Sequence, residues 1–447
     1  MRERDRRERV LYYDPPAETC SREVIAHIQL QKLKAILPRV FVCNRFYRRK
    51  WRAAGLESPA EVRTLDDFNR LPFTTKTEIA EDQAHNPPFG TNLTVPPEDF
   101  VALHETSGTT GTPIKWLDTA ESWAWWIRCW GFVYLGAGVR AGDRAFFPFS
   151  FGPFIGFWSA FEATRAIGVL PVPGAGKDPL ARLQAIFDNR VTVLVTTPSQ
   201  ALRLARLASE SGIMNLPDCS VSRVIVAGEP GGSVPAVKQA VEELWGARCF
   251  DHTGLTEVGA TGFECIARPG GVHLIESELI FQVVDPRTGE EVPEGQEGEL
   301  VATSLGRVGM PAFRYRTGDR VRLVTAPCGC GRTLARLEGG ILGRVDDMLI
   351  VNGQKLYPTA VENVVRGFPQ VGEFLVEVAE GPAGWLRVSV EVDPAAVSPE
   401  TAAMVERGIA AELRERLEVR AEVVIVPPRS LPEQGPKANR YVRLGGV

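Results

Sequence analysis

Ser107-Gly108-Thr109-Thr110-Gly111-Thr112-Pro113, led in by His104-Glu105-Thr106, alternates hydroxyls with glycines and closes on a proline. Each hydroxyl can donate to a phosphate oxygen, and each glycine lets the backbone turn tightly and bring N–H groups against an anion. It is not a Walker loop, because no Gly-Lys-Ser/Thr follows the second glycine. A Ser/Thr/Gly run alone also describes a mobile surface turn. The rest of the chain decides between these readings.

Outward from that loop the chain has 447 residues, which suits a large catalytic body and a second unit. Apolar content of 44% and charged content of 24% are those of a globular protein, and a net charge of −4 argues against nucleic-acid or membrane-surface partners. The opening MRERDRRERV mixes five arginines with three acids and lacks an apolar core, unlike a signal peptide. Residues 145–158 form the most apolar stretch, but Pro148, Gly152, Pro153 and Gly156 break it well short of a bilayer span. Eight cysteines without a secretion signal read as reduced thiols or metal ligands. The expectation is a cytoplasmic protein.

Helical spacing runs from Ser21 to Lys50, with Pro38 as a break, and Thr74 or Thr75 caps a further helix after Leu71-Pro72-Phe73. Beyond the loop, apolar runs at 144–149, 168–172, 191–196, 221–227 and 247–251 alternate with helical patterns at 154–167, 180–189, 198–211 and 233–245. That alternation predicts an α/β body with a largely parallel sheet, whose ligands gather at the strands' carboxyl ends. Two polar segments follow strands in that way, Gly228-Glu229-Pro230-Gly231 and Asp251-His252-Thr253-Gly254-Leu255-Thr256-Glu257. Runs at 279–284, 298–303 and 321–324 predict antiparallel strands in a small attached barrel or sheet. After Gly343-Arg344-Val345-Asp346-Asp347 a compact α+β unit remains: short strand, helix 358–368, strands 371–378 and 386–392, helix 399–417 and strand 422–426.

Tyr315-Arg316-Thr317-Gly318-Asp319 is the second strong signal, since an aspartate beyond a Thr-Gly turn can accept both hydroxyls of a ribose. With the hydroxyl/glycine loop, Thr-Gly-Leu-Thr-Glu and a late Lys437 in this order, the chain resembles the adenylate-forming superfamily of acyl-CoA synthetases. LPFTTK, DHTGLTE, GRVDDMLIVNGQKLYP and a late Leu-Pro followed by Lys-Ala-x-Arg make it similar to the phenylacetate–CoA ligase branch, from about Tyr12 to the end.

The resemblance implies a large multi-sheet N-terminal adenylation domain, residues 1–345, and a small mobile lid domain, residues 346–447. It implies ATP, Mg²⁺ and CoA as reaction partners, and a homodimer as a candidate assembly. Ser107, Thr109 and Thr110, with the backbone of Gly108 and Gly111, would hold the β- and γ-phosphates. Glu257 would hold Mg²⁺, Thr256 would touch the α-phosphate, Asp319 would take the ribose, and Arg344 would lie near ribose or phosphate. Gly228, Glu229, Pro230 and Asp251, with His252 and Thr253 beside them, would line the adenine slot. Lys437 would neutralise charge on the α-phosphate and the acid. Rotation about a hinge at Asp346 would then swing Lys437 out and bring the Val351–Lys355 segment, with Gly353, against the pantetheine arm. Two departures stand out: Thr112 replaces a frequent lysine, with Lys115 nearby, and Pro436 replaces a glycine before Lys437.

Cys328-Gly329-Cys330-Gly331 supplies two thiols, half of a tetrahedral zinc site. Either Cys265 and His273, flanking an expected turn at Arg268-Pro269-Gly270-Gly271, or Cys249 and His252 complete it. The first pair fits better, since His252 falls in the nucleotide segment, and the resemblance supports a structural zinc on three cysteines and one histidine. The aromatic run Phe149-Ser150-Phe151-Gly152-Pro153-Phe154-Ile155-Gly156-Phe157-Trp158 favours an aryl or arylacetic acid, with His252 or Ser150 as candidate polar partners for ring substituents. Two alternatives remain open. One is an adenylating enzyme that loads a carrier-protein thiol or stops at the adenylate; the other, motivated by Thr112 and Pro436, is a nucleotide-binding protein without turnover.

Overall fold

The computed structural model describes residues 9–106, 113–212, 215–351, 354–381, 384–394, 397–432 and 440–444. Of the sites named above, Ser107, Gly108, Thr109, Thr110, Gly111, Thr112, Gly353, Pro436 and Lys437 lie outside them.

The first long helix, Arg22–Cys43, is capped by Ser21 and buries Ile25, Gln29, Leu33, Leu37 and Val40 at three- and four-residue spacing. It runs through Pro38, where a break was expected. Pro38 faces solvent, while Leu37, Val40 and Phe41 around it are buried and keep the last turn docked. Thr75 caps the helix Lys76–His85 in a reciprocal box with Glu78. The segment before it docks beside the Arg-Thr-Gly-Asp motif: Thr74 N–H donates to the Arg314 carbonyl and Arg316 N–H to that of Thr74, each at 2.9 Å.

Strands β1 (Phe100–Glu105) and β2 (Lys115–Thr119) form an antiparallel ribbon on either side of the hydroxyl/glycine loop. A helix over Ala120–Gly136 follows. It buries Trp125, Trp126 and Trp130, and no amphipathic stripe announced it, because it is buried over most of its surface.

Beside the β1–β2 ribbon the body carries a 12-stranded mixed sheet, so the expected multi-sheet α/β architecture is present. Strands β3 (Arg144–Phe147), β4 (Leu170–Pro173), β5 (Val193–Thr196), β6 (Arg223–Val226) and the start of β7 (Arg248–Leu255) are parallel. Helices Ile155–Ala166, Pro179–Asp188, Pro198–Ser211 and Pro235–Trp245 connect them. Three of these helices open with proline in the first turn, and two end at Gly212 or Gly246 in the left-handed region, at φ +61° and +59°. Beyond β7 the sheet turns antiparallel through β8 (Gly259–Cys265), β9 (Arg268–Leu274), β10 (Leu279–Val284), β11 (Glu297–Ser304), β12 (Tyr315–Val324), β13 (Arg336–Glu338) and β14 (Gly343–Arg344).

Three expectations change here. The antiparallel strands are not a separate barrel: β13 joins β12 to β9 and makes them continuous with the parallel half. The Asp251–Leu255 segment does not follow a strand but lies within one, because β8 pairs it after its register with β6 ends at Asp251. The turn expected at 268–271 belongs to β9, and the reversal falls at Ile266-Ala267 instead, with Cys265 opposite Arg268.

Past Asp346 lie a hairpin of β15 (Leu349–Val351) with β16 (Gln354–Leu356) and a separate sheet in the order β19-β18-β17-β20. These are β17 (Val371–Ala379), β18 (Trp385–Val392), β19 (Ala421–Val426) and β20 (Tyr441–Leu444). This unit has its own core, from Leu349 through Phe374 and Ile409 to Val423. Strand β20, parallel to β17, was not foreseen; four residues after a proline- and glycine-rich loop carry too little periodicity to announce a strand. No described helix is long and apolar enough to cross a membrane.

Candidate active site

Two backbone chains meet at the neck of the hydroxyl/glycine loop. Thr106 N–H donates to the Ile114 carbonyl, and Ile114 N–H donates to Thr106 Oγ1, both at 3.0 Å. Glu105 N–H reaches the Pro153 carbonyl at 3.0 Å, so the aromatic run stands beside the loop's base. Those aromatics pack largely on one another: Phe149 on Phe157 at 3.9 Å between ring centres, and Phe151 on Trp158 at 4.7 Å.

The end of β7 and the turn after it present Thr253, Thr256 and Glu257. Glu257 is buried, and one carboxylate oxygen accepts the Tyr315 hydroxyl at 3.3 Å. A carboxylate has about four acceptor positions, so this buried group retains capacity for a cation. Tyr315 opens β12, and Asp319 lies four residues further along the same strand, on the order of 13 Å away. Arg344 on β14 stands opposite Asp319, with Nη1 3.3 Å from its carboxylate, and also pairs with Asp346 at 2.9 Å. The approach needs Gly318, held at φ +75°, where a Cβ would sit 2.6 Å from an Arg344 nitrogen. Burial raises the Asp319 carboxyl to about 7 against the pull of Arg344, and the negative charge of Glu257 adds to the rise.

The adenine-slot candidates divide. Asp251 is buried and accepts a hydrogen bond from Ser233, and burial holds its carboxyl above the ordinary range. Gly340, on the segment leading to Arg344, passes close enough that a Cβ would meet Ser233 and Asp251, so the Asp251 and Asp319 regions are contiguous. Gly228, at φ +90°, and Pro230 are exposed, and Glu229 accepts from Ser199 N–H at 2.7 Å. His252 Nδ1 donates to the Gly262 carbonyl at 2.7 Å, and its ring lies 4.3 Å from Trp130. Burial lowers it to about 4, leaving a neutral ring with Nε2 as an acceptor. Ser150, the other candidate for a ring substituent, is exposed.

Cys265, His273, Cys328 and Cys330 are buried together, their ligand atoms all within 4.8 Å of one another. Cys265 Sγ lies 3.7 Å from Cys328 Sγ, and Cys330 Sγ lies 3.5 Å from His273 Nε2. The other His273 nitrogen faces the Leu334 carbonyl at 3.2 Å, which orients Nε2 toward the thiols. The alternative ligands Cys249 and His252 are not in this cluster. The loop also anchors the start of the chain: the Tyr12 hydroxyl donates to the Cys330 carbonyl at 2.6 Å, and Arg332 pairs with Glu18 at 2.5 Å.

Residues 31–307 match the model of the AMP-binding enzyme family, and residues 353–443 match that of the AMP-binding enzyme C-terminal domain. The chain belongs to the AMP-binding enzyme family. Within the family it is 32% identical to the phenylacetate-coenzyme A ligase of Thermus thermophilus, over 97% of this chain and 100% of that protein. To the phenylacetate-coenzyme A ligase of Escherichia coli (strain K12) it is 29% identical over 97% and 98%. It thereby falls on the phenylacetate–CoA ligase branch. Among solved structures, a 2-hydroxyisobutyryl-CoA ligase in complex with 2-HIB-AMP in the postadenylation state aligns with TM-score 0.91 at 28% identity, over 97% of this chain and 92% of that one. The same ligase with 2-HIB-AMP and CoA in the thioesterification state aligns at only 0.73, at the same identity and the same coverage of both chains.

The C-terminal unit is docked through side chains on both units. Arg440 donates to Ser199 Oγ at 3.0 Å, and Asn363 Oδ1 accepts from Ala236 N–H at 3.2 Å. Sequence reading missed these contacts, together with Tyr315 as the hydroxyl on Glu257 and the buried Asp118–Arg307 pair. Tyr315 lay inside a quoted motif, but nothing local announced Ser199, Asn363, Asp118 or Arg307.

Proposed function

We propose that this AMP-forming acid–CoA ligase activates an aromatic acid, aryl or arylacetic, as an acyl-adenylate and passes the acyl group to CoA. The reading is carried by one observation: β12 carries both Tyr315, whose hydroxyl holds Glu257, and, four residues on, Asp319, which pairs with Arg344. That spacing suits polyphosphate at Glu257 and ribose at Asp319. The acid's carboxylate attacks the α-phosphorus and pyrophosphate leaves; a thiol then attacks the acyl carbonyl and AMP leaves. Both steps concentrate negative charge, so the protein's task is positioning and neutralisation. Ser107, Thr109 and Thr110 hold the β- and γ-phosphates, Thr256 meets the α-phosphate, and Lys437 stabilises charge developing there. Glu257 would hold Mg²⁺, which would supply positive charge to offset that of the polyphosphate.

The aromatic run tied to the loop neck through Pro153 supports an aryl group in the acid pocket. The unit from Asp346 onward is read as the mobile lid, and the docked arrangement seen here as the adenylating one. The Cys/His cluster fits a closed tetrahedral zinc site of structural purpose, since four protein ligands leave no open position.

An acid panel with AMP and thioester both measured tests the proposal. Aryl acids are expected to give AMP formation stimulated by CoA, with matching thioester. AMP release indifferent to CoA would favour an adenylate-only or carrier-loading enzyme, and absence of pyrophosphate exchange with every acid would leave nucleotide binding without turnover.

A further inference from the structure

Arg307 and Asp118 form a fully buried ion pair beside the Thr256–Glu257 turn. Both side chains have 0% exposure, and the pair is bidentate, Nε to Oδ1 at 2.8 Å and Nη2 to Oδ2 at 2.6 Å. Burying two charges is expensive, and a pair of apolar residues would often serve stability as well or better. Another purpose is visible in the remaining nitrogen. Arg307 Nη1 donates to the Thr256 carbonyl at 2.5 Å and to the Glu257 carbonyl at 3.2 Å.

Asp118 lies on β2, four residues after Ile114 at the loop neck, in the ribbon that carries the hydroxyl/glycine loop. The guanidinium is gripped by Trp116 and Trp126, 5.0 and 5.6 Å from the two ring centres. It reaches this slot because Gly306 precedes it; a Cβ there would lie 2.0 Å from a Trp125 ring atom. The pair is therefore a rigid tie with one end on the strand leaving the phosphate loop and the other on the backbone of the turn bearing Glu257.

We propose that the Asp118–Arg307 pair positions the Thr256–Glu257 turn against β2, the strand that leaves the hydroxyl/glycine loop, and so sets affinity for metal-bound ATP. The proposal rests on the nucleotide reading above. Both are positioning residues, acting through the backbone they hold.

The test separates position from stability. The double variant Asp118→Leu/Arg307→Met replaces the pair with apolar groups, which keeps the slot filled but removes both carbonyl contacts. Mg²⁺-ATP binding is measured by calorimetry, and the half-saturating Mg²⁺ concentration in pyrophosphate exchange. Loss of two charge-assisted hydrogen bonds is expected to weaken Mg²⁺-ATP about tenfold or more and to raise the Mg²⁺ requirement. Thioester formation from supplied acyl-adenylate and CoA is expected to stay within about threefold of the parent. A double variant that binds Mg²⁺-ATP like the parent overturns the proposal. If it fails to fold, Arg307→Lys, which keeps the charge but not the planar fork, takes its place. An unchanged Mg²⁺ requirement in a destabilised Arg307→Lys protein would then mark the pair as purely structural. Parent protein that binds no Mg²⁺-ATP would sink the nucleotide reading itself, whatever the variants do.

Discussion

Cys265, His273, Cys328 and Cys330 satisfy one another: each ligand atom has the other three within 4.8 Å, and the second nitrogen of His273 faces a carbonyl. Glu257, on the turn between β7 and β8, and Asp319, on β12, do not. Glu257 accepts one hydroxyl among the described residues, and Asp319 is held above the ordinary carboxylate range by burial that Arg344 only partly offsets. A cluster that closes on itself serves the fold. Carboxylates buried with spare acceptor capacity weaken it, as a site proposed to receive a ligand would.

The harshest test of the open site is Lys437→Ala. Adenylation is expected to fall by about a hundredfold or more, while thioester formation from supplied acyl-adenylate persists, as pyrophosphate exchange and a coupled thioester assay would read. Persistent adenylation would remove Lys437 from the proposal. At the closed cluster, Cys328→Ser is expected to lose bound zinc and about 3 kcal/mol of stability. Metal analysis and thermal denaturation check this, and the start of the chain should loosen first, because Tyr12 and Arg332 tie it to that loop. Protein purified without zinc, at unchanged stability, would break the contrast at its closed end.

Asp319→Asn sharpens the open end. The folded pKa of Asp319 is raised, so its contribution to stability is fully present below the unfolded carboxylate range, near pH 4, and is lost as pH rises through about 7. The variant is therefore expected to gain more thermal stability over the parent at pH 8 than at pH 4. ATP affinity in the parent should strengthen as pH rises through about 7, when the carboxylate ionises to accept the ribose hydroxyls; in the variant it should be about tenfold weaker at pH 8 and flat with pH. The smallest effect is expected from Ser199→Ala, which removes one hydrogen bond between the units, from Arg440. Adenylation should slow about threefold relative to thioester formation.

Strands and helices of the parallel half were legible because each is a short apolar run or an amphipathic stripe bounded by proline and glycine. The Pro198–Ser211 and Pro399–Leu417 helices match their expected ends. Elements without such contrast were not legible. Ala120–Gly136 is apolar over most of its surface, and β8 and β9 carry glycines at strand positions where backbone approaches closely. Of the candidate site, Glu257, Asp319, Arg344 and the four Cys/His residues could be picked out because their motifs are local and chemically unusual. Arg307, Asp118, Ser199 and Asn363 could not, since each acts through a partner over a hundred residues away in sequence.

Residue order alone determined the family, the alternation of strand and helix, and which groups are candidates for phosphate, ribose and a metal, because these depend on side-chain chemistry and on periods of two and 3.6 residues. Tertiary structure alone decided that the antiparallel strands extend the parallel sheet. It gathered Cys265 and His273, the pair the sequence already favoured over Cys249 and His252, against the paired thiols. It also placed a buried arginine between the loop's exit strand and the Glu257 turn. Those outcomes hang on sheet register and on contacts between distant segments, which local pattern does not encode.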